Sequence, residues 1–273
     1  TAVALQQHLQ THRLATVNWL GGAGSESERR NAAAAANAAF QKLGEQLAAG
    51  GYTNAIEAHK GTKAQWDAML NKLDAKAIEV SAAKTAHREL IEANLKLMDH
   101  IADGSGLSLD PVAESYYMMT AAVDHLPRLG EALEYLHLEG TATLGAKEVT
   151  LLARARLELA SQNVLYLQER ASAQIDKAIA LQPDLAKLLS EGGKATSKQV
   201  DGLRELAGQV AALGTAAATP ADFSREAAAA AAAQYKMVGL TLDGLNELLT
   251  ERVSALEHQR AMMLALIGAL GVV

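Results

Sequence analysis

The chain has 273 residues, a net charge of −6 and no cysteine, which leaves room for one large or two small domains and excludes disulfides, thiolate metal sites and cysteine nucleophiles. Apolar residues make up 49%, with alanine supplying much of that share, whereas aromatics reach only 4%. The mild acidity, without any sizeable Lys/Arg cluster, argues against a nucleic-acid partner.

Only four prolines interrupt a sequence rich in good helix formers, and no stretch alternates β-branched and aromatic residues with period two. The pattern predicts an all-α fold. A first helix is expected over 2–20, ended by Gly21-Gly22-Ala23-Gly24, with Ser25 or Ser27 capping a second over 26–49. Gly50-Gly51 breaks that helix, and a short piece follows over 54–60. A third long helix is expected over 62–102, and the glycine-rich Asp103-Gly104-Ser105-Gly106 closes it. Asp110-Pro111 reads as an N-cap followed by a first-turn proline, and Pro127 predicts a kink near His125. Gly140 is expected to end this helix, and another runs over 146–181. A short helix follows Pro183 to Ser190, Gly192-Gly193 reads as a loop, and a helix spans 197–213. The last helix starts at Thr219-Pro220. Together these predict an elongated antiparallel bundle of long helices, as one body or as two stacked modules.

The closing helix passes Glu257-His258-Gln259-Arg260 and then loses all charge from Ala261 to Val273. A soluble helix carries polar residues every third or fourth position. The run therefore reads as the start of a transmembrane helix over 260–273, short of the roughly 20 residues a full span needs. Thr1 is not a start methionine and the helical pattern is already running there, so the chain reads as a segment of a longer protein.

Catalytic and phosphate-binding motifs are absent, and no cofactor or metal is expected. His8 and His12 stand one turn apart, but no third ligand accompanies them. What remains is recognition between helices, where a few polar groups sit in apolar walls. The candidate ligand-binding residues are His12, Arg13 and Asn18 on the first helix, Tyr116 and Tyr117, and Arg128 after Pro127. A guanidinium suits a carboxylate or an inorganic anion. A solvated helix face is the plain alternative for each arginine, and a core position for one of the tyrosines.

Two segments carry a family likeness. Gln10-Thr11-His12-Arg13-Leu14-Ala15, closing in Leu20-Gly21, resembles the opening of periplasmic domains in proteobacterial methyl-accepting chemotaxis proteins and related membrane histidine kinases, with Leu14 where glycine is usual. Ile101 to Pro111, continued by Ser115-Tyr116-Tyr117-Met118-Met119 and Leu126-Pro127-Arg128-Leu129, resembles a second segment of those domains. The resemblance implies a helical sensory domain similar to nitrate/nitrite-sensing or helical bimodular domains, set between membrane helices and working as a homodimer.

The sequence therefore leads us to expect, over 1–259, a non-enzymatic input domain of a bacterial chemoreceptor in the periplasm, anchored in the inner membrane. Its expected partners are a small anion or organic acid, or a periplasmic binding protein. Two rivals keep the architecture: the sensor of a membrane histidine kinase, and an anchored structural bundle without a ligand.

Overall fold

The computed structural model describes residues 1–270, with side chains through Ile267. It is all-helical, and no strand occurs among the described residues. The elements are α1 (Ala2–Leu20), α2 (Glu26–Gly50), α3 (Thr53–Asp74), α4 (Val80–Ser105) and α5 (Ala113–Met119), then a π-helical turn (Thr120–His125), α6 (Leu126–Gly145), α7 (Leu151–Leu181), α8 (Leu185–Leu213) and α9 (Pro220–Leu270).

Local chemistry sets several of the ends. Ser25 forms a full capping box on α2: its Oγ accepts from the Glu28 N–H at 3.2 Å, while its own N–H donates to Glu28 Oε2 at 2.8 Å. Gly51, at φ +69°, closes the same helix in the left-handed region. Thr150 caps α7, and Thr219 with Asp222 caps α9 reciprocally. The irregularity expected near Pro127 is a π turn immediately before it, which absorbs the proline without ending the helical run.

Three expectations are corrected. The helix over 62–102 is broken: α3 already starts at Thr53, absorbing the short 54–60 piece, and ends at Asp74. Lys76 takes φ +52°, its N–H donates to the Leu73 carbonyl, and the Ala77 N–H reaches back to Lys72. This is a helix-ending motif usually built on glycine, here carried by a lysine. Gly140 does not end α6, which runs on to Gly145, and α7 accordingly starts at Leu151 rather than Ala146. Gly192-Gly193 is no loop but part of a continuous α8.

Those two glycines are packing notches. A Cβ on Gly140 would lie 2.2 Å from the Phe223 ring of α9, and one on Gly192 would lie 2.5 Å from Leu240. Phe223 is fully buried, so its ring has nowhere to go. Gly140→Ala, a change worth up to about 1 kcal/mol of stabilisation in an exposed helix, should here cost about 1–3 kcal/mol through overpacking. Urea unfolding of Gly140→Ala, Phe223→Leu and the double variant should show strong non-additivity. Additive effects would mean the notch is not what holds α6 against α9.

Two apolar cores result. α1, α2, α3 and α4 pack around Trp66, Phe40, Leu5, Leu9, Leu90 and Ile91. α5 to α9 pack around Phe223, Leu129, Leu133, Val164, Leu203 and Val238. Runs of alanine, such as Ala32, Ala33, Ala36 and Ala39, let α2 lie close to its neighbours despite the shortage of large side chains. Contact between the two helix groups runs through α1 and α4 against α6 and the π turn.

α9 buries Phe223, Ala227, Ala230, Gln234, Met237, Val238, Thr241 and Leu245, the three-and-four spacing of a helix with one inner face. That face then stops. Every residue from Val253 to Ile267 is exposed, including Met262, Met263, Leu264 and Leu266. No helix among the described residues is long and apolar enough to cross a membrane. The closing Gly271-Val272-Val273 of the apolar run lies outside the described residues.

Candidate functional site

α1 lies between the two helix groups, packing on α2 and α4 to one side and on α6 to the other. A helix covered on both sides must bury polar side chains, and α1 buries Gln6, Gln10, His12, Arg13 and Thr16. Toward α6 they form a seam. Gln6 Nε2 donates to the Pro127 carbonyl at 2.7 Å. Arg13 makes a two-pronged ion pair with Glu131, at 2.6 and 3.0 Å, and Gln10 Nε2 donates to the same carboxylate at 3.0 Å. Tyr235 of α9 donates its hydroxyl to Gln10 Oε1 at 2.5 Å, and Gln234 donates to the Leu126 carbonyl. Gly130 makes room for this junction, since a Cβ there would sit 2.9 Å from Tyr235 Oη and 3.1 Å from Gln234 Oε1. Burial above all, with Glu134 and Glu131 nearby, pushes the Tyr235 hydroxyl well above its usual range, so it stays a donor.

Toward α4, His12 Nδ1 lies 2.8 Å from His87 Nε2, and His87 Nδ1 lies 2.7 Å from the Ala83 carbonyl. A carbonyl only accepts, so His87 carries its proton on Nδ1 and receives the His12 Nδ1–H on Nε2. His12 Nε2 is left as a buried lone pair without a partner. Trp66 meets the His12 ring edge-on at 4.7 Å. Burial first, then His87 and Arg29, push the His12 imidazole down to about 2. Burial first, with Arg13 adding to it, pushes His87 down to about 4. Both rings are neutral at ordinary pH.

The other candidates lie apart from this seam. Asn18 is exposed at the end of α1, where its carbonyl takes the Ala23 and Gly24 N–H groups. Arg128 is 41% exposed and pairs with Asp124 one turn back and with Asp99 of α4. Tyr116 and Tyr117 meet edge-on at 5.9 Å on α5, with Lys177 5.3 Å above the Tyr117 ring. α5 packs on α7 and α9, whereas α1 packs on α2, α4 and α6. Arg13 and His12 are therefore together, and Tyr116, Tyr117 and Arg128 do not join them. Both terminal nitrogens of Arg13 are taken by Glu131, while its Nε is buried without a partner, so an anion would have to displace a carboxylate to reach the fork.

Sequence reasoning missed two further arrangements. The first is a clamp where α9 leaves the bundle. Arg252 pairs with Asp110 through both guanidinium ends, at 2.7 and 2.9 Å, and the Asp110 side chain is only 3% exposed. Asp110 also accepts from the Val112 N–H and from Ser115 Oγ. The Arg252 guanidinium, helped by these two donors, holds the Asp110 carboxyl down at about 2. Asp110-Pro111 is thus not the N-cap and first turn expected of it, since α5 starts at Ala113 with Val112 as its N-cap; instead Ser115 orients the Asp110 carboxylate that seizes α9.

The second is a groove of about 730 Å3 among the end of α1, α4, α6 and the first turns of α9. Asn18, Lys84, His137, Thr141 and Ser224 supply its polar groups, and Leu14, Val17, Leu138 and several alanines its walls. His137 is 3% exposed and its Nε2 lies 2.9 Å from Ser224 Oγ. Glu134 Oε2 stands 3.6 Å from His137 Nδ1, beyond hydrogen-bond length. The order carboxylate, imidazole, hydroxyl suggests a nucleophilic serine, but the geometry lacks the remaining parts. Ser224 lies in the second turn of α9, whose backbone N–H groups are spent within the helix, so no pair of donors awaits a developing oxyanion.

No family model matches the chain, and no curated protein or solved structure matches it either. No group of three or more potential metal ligands converges among the described residues.

Proposed function

We propose that this chain is the periplasmic input domain of a bacterial transmembrane chemoreceptor, in which ligand-dependent rearrangement of the bundle moves α9 relative to the inner membrane. The observation that carries the reading is α9 itself. One unbroken helix lines the groove with its first turns, crosses the seam at Gln234 and Tyr235, is clamped at Arg252, and beyond Arg260 presents an uncharged apolar stretch that nothing among the described residues covers. Large exposed apolar patches on such a helix mark a surface meant for lipid or a partner. The absence of charge after Arg260 favours lipid. The resemblance of Ile101–Pro111 and Ser115–Met119 to segments of chemoreceptor periplasmic domains supports the same reading, with a homodimer as the working unit.

The two cores support an elongated arrangement in which the helix groups are stacked modules sharing α1 and α6 as their joint. Small-angle scattering then gives a radius of gyration clearly above the roughly 19 Å expected of a compact chain of this length; a value near 19 Å rules the elongated form out.

Membrane engagement is tested by flotation of the 273-residue chain with vesicles of phosphatidylethanolamine and phosphatidylglycerol. The chain should rise with the vesicles, and a variant carrying Ala265→Glu and Leu266→Lys should stay in the aqueous fraction, since each charge costs about 2.5–3.5 kcal/mol at bilayer depth. Identical behaviour of the two proteins overturns the lipid assignment.

A further inference from the structure

We propose that the groove between α1, α4, α6 and α9 binds a small monocarboxylate with a short aliphatic body, held at its charged end by Lys84 and Ser224. This deepens the input-domain reading by naming the ligand class, and it rests on that reading for its biological meaning. Its chemistry stands on the groove.

Lys84 is the single charged residue that lines the groove among the described residues. It is half-buried, and it forms no ion pair within 4.0 Å among the described residues. Two acids next to groove residues are engaged elsewhere: Asp222, beside Ala221, bonds Thr219 and Arg225, and Glu134 faces His137 Nδ1 at 3.6 Å. A partly desolvated cation without a counter-ion attracts an anion far more strongly than one in bulk water. By contrast, the open groove between α3 and α4 is lined by Lys72 together with Glu79 and Glu89, so its field is mixed.

Neutral donors accompany the cation. Ser224 Oγ and the Asn18 amide line the same space, and Thr141, whose hydroxyl donates to the His137 carbonyl, flanks them. His137 is nine-tenths buried, and its Nδ1 has no hydrogen-bond partner within the protein. With Nε2 protonated, His137 donates to Ser224 Oγ and frees the Ser224 hydroxyl hydrogen for an anion in the groove. The imidazole thus positions the serine as a donor. The remaining walls, Leu14, Val17, Leu138, Ala142 and Ala228, are aliphatic and accept no polar group. One charged end and one apolar body fit that lining; a dicarboxylate would find no second cation among the residues that line the groove.

The location gives binding a consequence. The ligand touches α1 and α4 on one side and α6 and the first turns of α9 on the other, so it bridges the two helix groups beside the start of the helix that leaves the bundle.

The test uses the 273-residue chain, isothermal calorimetry and thermal melting, with hexanoate as probe and hexylamine and inorganic phosphate as controls. Hexanoate should bind saturably and, at tenfold excess over its Kd, raise Tm by about 2–5 °C, while hexylamine and phosphate should not. Lys84→Gln should weaken hexanoate at least tenfold without changing the melting of the free protein. Ser224→Ala should weaken it several-fold, and His137→Gln should reproduce the Ser224→Ala loss. No saturable hexanoate binding, equal binding by Lys84→Gln, or phosphate binding as tightly as hexanoate would each overturn the proposal. Failure here leaves vesicle flotation untouched, and failure of flotation leaves the calorimetry untouched, so the two readings fall separately.

Discussion

Replacing Glu131 by alanine should lower the unfolding free energy by about 3–5 kcal/mol, the cost of leaving a buried guanidinium without its counter-charge. Arg13 is 3% exposed, and its only ion-pair partner among the described residues is Glu131, which also holds Gln10. In a chain of this size the loss corresponds to a fall in Tm of about 6–20 °C. Replacing both partners, as Arg13→Met with Glu131→Leu, should recover most of it, because an apolar pair leaves no stranded charge. Urea unfolding and thermal melting of the single and double variants check this. A single variant melting within 2 °C of the parent would mean that water reaches Arg13, contrary to its burial.

Acid should destabilise the fold well before carboxylates titrate. His12 and His87 have their protonation held down in the folded state, to about 2 and about 4, against 6.5 when unfolded. The unfolded chain therefore binds more protons below pH 6.5, and stability falls as pH drops through that window. At pH 4.5 the loss is about 2–3 kcal/mol for each ring, with 1.36 kcal/mol per pH unit. Above pH 6.5 both rings are neutral in both states and contribute no slope. The other charges facing the pair are Arg29 of α2 and Arg13 of α1. A variant with His12→Asn and His87→Gln should show a much flatter profile between pH 6.5 and 4.5. His125, also lowered mainly by burial, supplies slope that this variant retains, while Asp99, raised by burial, opposes it near the acid end. An unchanged profile in the double variant would show that the two rings meet water.

What was legible in the sequence was local. The start of α2 follows from Ser25 and Glu28, three residues apart, and the start of α9 from Thr219-Pro220. The break at Lys76 was invisible because the left-handed position that ends α3 is usually advertised by glycine, and here a lysine takes it. Gly140 and Gly192 misled in the opposite direction: each looked like a stop, but its missing side chain serves a neighbour more than forty residues away. The same division holds at the site. His12 and Arg13 stood out as polar residues on an apolar helix, but their partners His87 and Glu131 lie 75 and 118 residues further on. Lys84 carried no mark at all. Its interest comes from what does not face it, which only three-dimensional packing decides.

The glycine notches also constrain how α9 can move. Phe223 sits over Gly140, and Gln234 with Tyr235 over Gly130, so the two helices are keyed at two points along their length. Sliding α9 by a single residue, about 1.5 Å, would drive the Phe223 ring out of its recess at one end and the tyrosine hydroxyl into backbone at the other. The pair is therefore keyed as one body, and any relative motion of the helices is left to the hydrogen-bonded face that α6 and α9 turn toward α1.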